Sequence, residues 1–135
     1  MRKRKVLVVE DQKLNRAVLK EILESEYDVL YAVNGKEALD IMNREGRHLS
    51  LVLLDIVMPV MDGYEVLKVM ERRKLLEQIP VLVASQHFGD DSELQALLLG
   101  AGDYVSKPYN PAVLKRRIKN QIRMHEALMQ VTVLE

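Results

Sequence analysis

Four short, unbroken apolar runs, each closing on a polar residue, govern what this chain can become. They are Val6-Leu7-Val8-Val9 into Glu10-Asp11, Leu51-Val52-Leu53-Leu54 into Asp55, Val81-Leu82-Val83-Ala84 into Ser85, and Tyr104-Val105-Ser106 into Lys107-Pro108. Hydrophobicity that is continuous rather than alternating marks strands covered on both faces. Longer stretches of helical pattern separate the runs. Leu14, Ala17, Val18, Ile22 and Leu23 recur at helical spacing, and Tyr27 to Val33 reads as a second strand. Asn34-Gly35 suits a hairpin turn, but the helical pattern of Glu37 to Met42 behind it favours a strand-to-helix turn, with Gly46 as a C-cap.

Met58-Pro59-Val60-Met61-Asp62-Gly63 is a loop by its Pro and Gly, and a helix from about Tyr64 to Arg73 follows it. Asp90-Asp91-Ser92 can cap a helix carrying Leu94, Leu97 and Leu98, closed by Gly100 and Gly102. Asn110-Pro111 opens a last helix that buries Leu114, Ile118 and Ile122, with Met129 a further candidate. A strand and a helix thus alternate five times. Right-handed crossovers then give a five-stranded parallel sheet with helices on both faces. One domain over residues 1–130 is expected, with 131–135 a frayed tail or the start of a linker to an output domain.

Charge and composition remove several function classes. Twenty Lys plus Arg balance twenty Asp plus Glu in 135 residues, so no bulk charge draws this domain to nucleic acid. There is no cysteine, which excludes disulfides and thiolate metal sites. The basic start, Met1 to Lys5, leads into an apolar run that stops at Glu10, short of the roughly 18 residues a membrane span needs. A solvated tail and a cytoplasmic location are expected.

Parallel sheets bind ligands beyond the carboxyl ends of their strands. Glu10, Asp11, Asp55, Ser85 and Lys107 all fall there. Two carboxylates at about 4 Å repel by roughly 4 kcal/mol at an effective dielectric near 20, so a cluster of three calls for protons or a cation. Mg²⁺ is the natural cation, being held by carboxylates, waters and phosphate oxygens. Glu10 and Asp11 could instead serve only the first helix, whose dipole favours acidic residues at its start. Asp55, charged at the end of an apolar strand, is harder to account for without a function. Lys107 offers an ammonium for a phosphoryl oxygen, or pairs with its acidic neighbours. Ser85 offers a hydroxyl, or a simple cap. Pro108 is a candidate for the cis form.

Taken together, Val-Val-Glu-Asp, Leu-Leu-Asp-Ile-Val-Met-Pro-Val-Met-Asp-Gly, Pro-Val-Leu-Val-Ala-Ser and Gly-Ala-Gly-Asp-Tyr-Val-Ser-Lys-Pro-Tyr resemble the receiver domains of two-component response regulators, chemotaxis regulators among them. The likeness runs from about residue 5 to residue 128. It implies a flavodoxin-like, three-layer (βα)5 fold with strand order 2-1-3-4-5. It implies Asp55 as the phosphoacceptor, with Glu10, Asp11, Asp55 and the backbone carbonyl of Val57 holding Mg²⁺ or Mn²⁺. Lys107 and Ser85 would contact the phosphoryl group, and Ser85 and Tyr104 would form the switch. The implied donor is a sensor histidine kinase or phosphotransfer protein. The implied role is a signalling switch rather than an enzyme, assisting its own phosphorylation and dephosphorylation. Gln86 departs from the pattern, standing where a small residue is usual. Val57 and His87 fall at variable positions on the pocket edge.

By this reading phosphorylation is read out on the surface of helix 4, strand 5 and helix 5, through a homodimer or a docked partner. Lys115, Arg116, Arg117, Lys119 and Arg123 form a basic stretch there, and Glu93 is an acidic counterpart. Rival classes exist. A flavin carrier would want Ser, Thr and Gly where Glu10-Asp11-Gln12-Lys13 stand. An aspartate-nucleophile phosphatase would want a second acid where Val57 stands. A degenerate receiver acting as an interaction module remains open, although no pocket residue is missing.

Overall fold

The structure is a computed structural model that describes residues 3–86 and 90–134. The elements alternate as β1 (Arg4–Val9), α1 (Lys13–Leu23), β2 (Tyr27–Ala32), α2 (Gly35–Glu45), β3 (Leu49–Asp55), α3 (Gly63–Arg72), β4 (Val81–Ser85), α4 (Asp90–Leu98), β5 (Asp103–Ser106) and α5 (Pro111–Leu134), with a 3-10 turn at Gly46–His48. All four strand pairings are parallel, and the order is β2-β1-β3-β4-β5. The expected flavodoxin-like sheet is therefore present.

Each strand sends alternate residues to opposite faces, so every central strand feeds two cores. Val6, Val8, Leu51, Leu53, Leu82 and Ala84 pack with Leu19, Ile22 and Leu23 of α1 and Leu114, Ile118 and Ile122 of α5. Leu7, Val9, Val52, Leu54, Val81 and Val83 pack with residues of α2 and α3 and with Ala96 of α4. This two-sided burial is why the runs read as unbroken.

Local signals set the helix starts. The Asn34 side chain accepts the Glu37 N–H at 2.8 Å, and Gly46 closes α2 with φ of +54°. Asp62 and Glu65 form a reciprocal capping box at α3. At α4, the Asp90 side chain lies outside what the structure describes, as does the whole of His87.

Two helices depart from their sequence spacing: α1 buries Ile22 and Leu23 as expected but replaces Leu14, Ala17 and Val18 with Leu19, and α4 buries none of its three expected leucines. In α1 the buried positions are Leu19, Ile22 and Leu23, whereas Leu14 is 76% and Val18 42% exposed. In α4 it is Ala96 that enters the core, and Leu94, Leu97 and Leu98 remain exposed. Both helices carry apolar residues on two faces, and spacing alone does not say which face meets the sheet. On α5, Leu114, Ile118 and Ile122 are buried as expected and Met129 is half-buried.

Candidate functional site

Three strand ends converge. The β1–β3 register sets Val9 beside Leu54, and the β3–β4 register sets Asp55 beside Ala84. Glu10 and Asp11 therefore come off β1 next to Asp55, with Ser85 one residue beyond. Lys107 follows β5, its N–H donating to the Ser85 carbonyl at 2.9 Å.

Its side chain crosses back over the sheet end. Lys107 Nζ lies 2.7 Å from Glu10 Oε1 and 3.1 Å from Asp55 Oδ2. All three side chains are buried. The second Glu10 oxygen accepts the Gln12 N–H at 3.2 Å, and the Val57 N–H donates to Asp55 Oδ1 at 3.4 Å. The peptide bond between Lys107 and Pro108 is cis.

Burial, and then the neighbouring charge of Glu10, pushes the Asp55 carboxyl up to about 6, against the opposing pull of Lys107 and the Val57 N–H. Burial draws the Lys107 ammonium down. The hydrogen bond to Glu10, with the charge of Asp55 and the hydrogen bond to it, outweighs burial and leaves Lys107 above its ordinary value. Next to Lys107-Pro108, Tyr109 is raised by its own burial and by the charges of Glu10 and Asp55.

Glu10, Asp11 and Asp55 each offer a carboxylate oxygen, all within 4.8 Å of one another. Lys107 sets one positive charge against three negative ones. Hard oxygen donors with an uncompensated negative charge fit a divalent cation such as Mg²⁺ or Mn²⁺.

The other expected site residues are placed less directly. Val57 is exposed on the pocket rim, and with Gln12, Gln86, Asp55 and Lys107 it lines a cavity of about 100 Å³. Ser85 is wholly buried at the end of β4 and does not line that cavity. Tyr104 is half-buried against the α2–α3–α4 core. On α5, Arg117 pairs with Asp103 at 3.0 Å and Lys115 with Glu26 at 3.5 Å. These two cations of the basic stretch are thus already engaged within the chain.

Two features escape sequence reasoning. Arg16 Nη1 donates to the carbonyls of Glu10 and Asp11 at 2.9 and 2.8 Å, clamping the loop that carries both acids. An arginine one turn into a helix carries no signal of that role. The approach of α3 beneath Asp55 is equally hidden. A Cβ on Gly63 would stand 2.6 Å from the Asp55 carbonyl oxygen and 2.8 Å from Ile56 Cα, so only glycine fits. The Met-Asp-Gly of the loop is the trace of that contact in the sequence.

Comparison with known proteins agrees with this geometry. Residues 6–119 match the family model of the response regulator receiver domain. Over 128 residues the chain is 36% identical to the probable transcriptional regulator ycf27 of Porphyridium aerugineum, covering 91% of this chain and 50% of that protein. It is 36% identical over 124 residues to the alkaline phosphatase synthesis transcriptional regulatory protein PhoP of Bacillus subtilis, with 91% and 50% covered. A CheY-like response regulator receiver domain protein from Methanospirillum hungatei superposes with a TM-score of 0.81 at 28% identity, covering 93% of this chain and 98% of the other. The chain spans about half the length of the curated relatives it matches.

Fold and pocket define a parallel α/β domain of the kind that carries signals in two-component systems. The chain belongs to the response regulator receiver domain family. Among the described residues no helix is long and apolar enough to cross a membrane.

Proposed function

We propose that this domain is a phosphorylation-dependent switch that accepts a phosphoryl group on Asp55 from a histidine kinase or phosphotransfer protein. The observation that carries the reading is the Lys107 ammonium, buried and held between Glu10 and Asp55 in one acidic pocket. A buried cation among buried acids is costly to maintain for stability alone.

In the transfer, an Asp55 carboxylate oxygen attacks phosphorus in line with the phosphorus–nitrogen bond of a phosphohistidine. That bond breaks, and its electron pair stays on an imidazole whose other nitrogen carries a proton. An aspartyl phosphate remains, a recognised covalent form of a carboxylate nucleophile. Positioning and charge stabilisation supply most of the catalysis. Glu10, Asp11, Asp55 and the Val57 carbonyl would hold Mg²⁺, which supplies positive charge toward the phosphoryl oxygens. Lys107 supplies the protein's own positive charge. Arg16 keeps the Glu10-Asp11 loop in place through its two carbonyls.

The product adds about −1.5 to −2 charge and three acceptor oxygens. The Ser85 hydroxyl is drawn toward them, and Tyr104, two strand positions before Ser106, responds on the far face of β5. Phosphorylation thereby biases a two-state equilibrium that a homodimer, a docked partner or an output domain reads on the surface of α4, β5 and α5. Leu94, Leu97 and Leu98 give that surface an exposed apolar component. The transcriptional role printed for the relatives suggests gene regulation as the output.

Titrating Mg²⁺ tests the reading in solution. Wild type takes up the phosphoryl group of a small acyl phosphate only with the metal, and Asp11→Ala needs at least about tenfold more of it. Full phosphorylation in chelator, or equal metal affinity in the two proteins, would contradict the assignment.

A further inference from the structure

One side chain ties α4 to the segment that carries Asp55. Tyr64 stands in the first turn of α3, directly after Gly63. The Gly63 N–H donates to the Ile56 carbonyl at 2.8 Å, and Gly63 itself packs against the Asp55–Ile56 backbone. From that fixed base the half-buried Tyr64 reaches across to α4. Its hydroxyl lies 3.3 Å from Ser92 Oγ and 3.4 Å from the Ser92 carbonyl oxygen. A phenol has one proton, so Tyr64 donates to the carbonyl and accepts from the serine hydroxyl.

Helix α4 is otherwise lightly held. Among its described side chains Ala96 alone is buried, while Leu94, Leu97 and Leu98 are exposed. A helix with so little buried apolar surface opens and shifts at low cost. It also has room to move. A cleft of about 500 Å³ is lined on one side by Ile56, Val57 and Met58 and on the other by the first turn of α4, Ser92 included. Val57 lines both this cleft and the cavity over Asp55, and its N–H donates to Asp55 Oδ1.

We propose that Tyr64 is a positioning residue of the switch: its hydroxyl, bonded to Ser92, latches α4 in the resting placement and lets go when Asp55 carries a phosphoryl group. This rests on the reading of Asp55 as phosphoacceptor. The cavity over Asp55, at about 100 Å³, is little more than three waters in volume. A phosphoryl group fills it, and the Val57 wall adjusts. Ile56 passes that adjustment to Gly63 through their backbone contact, and Tyr64 moves relative to Ser92. A hydrogen bond made in only one of two states biases the equilibrium by its own strength. By linkage, removing it tightens binding of whatever favours the other state.

The test measures the affinity of wild type, Tyr64→Phe, Ser92→Ala and the double variant for beryllofluoride, a tetrahedral phosphoryl mimic, in saturating Mg²⁺. NMR follows the α4 amide signals of the same proteins. Tyr64→Phe keeps the ring and loses the latch, so it binds the mimic about two- to tenfold more tightly than wild type. Without the mimic, its α4 signals lie part-way from the resting to the mimic-bound positions of wild type. Ser92→Ala leaves the carbonyl acceptor and gives a smaller gain, and the double variant gains no more than Tyr64→Phe alone. A merely damaged fold weakens binding instead. Tyr64 lies outside the Glu10-Asp11-Asp55 cluster, so Mg²⁺ affinity without the mimic stays within about twofold of wild type. Unchanged or weaker binding of the mimic by Tyr64→Phe, or gains that add in the double variant, would overturn the proposal. So would an equal gain in Mg²⁺ affinity, which places the effect at the metal site. Wild type that binds no mimic sinks the phosphoacceptor reading and this proposal with it; wild type that binds it, with Tyr64→Phe no tighter, sinks this proposal alone.

Discussion

Lys107 sits closer to Glu10 than to Asp55: its ammonium is 2.7 Å from Glu10 Oε1 and 3.1 Å from Asp55 Oδ2. The lysine therefore bridges two buried acids and offsets part of their charge. Removing one partner of a buried pair leaves the other charges uncompensated. Lys107→Ala is expected to cost about 3 kcal/mol in metal-free protein, with part of the loss recovered on adding Mg²⁺. Denaturant unfolding in chelator and in Mg²⁺ checks this, and equal losses in the two conditions would count against it.

Asp55 makes the metal-free protein sensitive to pH. Its carboxyl is raised from 3.8 to about 6, chiefly by burial, so the folded state keeps this proton to higher pH than the unfolded chain. Stability then falls as pH rises from about 4 to about 6, by roughly 3 kcal/mol from this group, and the penalty is fully present above that window. Asp55→Asn removes it. Metal-free Asp55→Asn is expected to be more stable than wild type at pH 7.5, by about 1–3 kcal/mol, with the difference vanishing near pH 4. A gap that is constant across pH would show that titration of Asp55 is not its cause.

Gly63 is held against the Asp55–Ile56 backbone, and neither the Asp55 carbonyl oxygen nor Ile56 Cα can yield as a flexible side chain would. Gly63→Ala should destabilise the domain by about 2–3 kcal/mol and disturb the loop that presents Asp55. Thermal unfolding reads the first effect and Asp55 labelling the second.

Val60 adopts φ of +71° in a tight turn in which the Met61 N–H donates to the Pro59 carbonyl at 2.7 Å. A β-branched residue is strained there, and its side chain is 76% exposed, so nothing is gained from packing. Val60→Asn is expected to raise the melting temperature by roughly 3–5 °C, about 1 kcal/mol for a domain of this size. An unchanged or lower melting temperature would mean the strain is absent.

Much of the fold was written plainly in the chain. The runs from Val6, Leu51 and Val81 announce strands buried on both faces, and their polar ends announce the pocket. Helix faces were harder to read. Leu14 and Val18 compete with Leu19 and Leu23 for the sheet, and Leu94, Leu97 and Leu98 compete with Ala96. Spacing is satisfied either way, and only the position of each helix over the sheet decides. Contacts between distant segments were silent: nothing about Arg16 shows that it holds two loop carbonyls.

Asp55 as the sole phosphoacceptor is the claim on which the rest depends. Incubating the protein with acetyl phosphate and Mg²⁺, then reducing the adduct with borohydride and sequencing it by mass spectrometry, locates the modified residue. The expected result is a single modified position, Asp55, with no label in Asp55→Asn. Label at another residue in wild type, or Asp55→Asn modified to the same extent as wild type, would contradict the account.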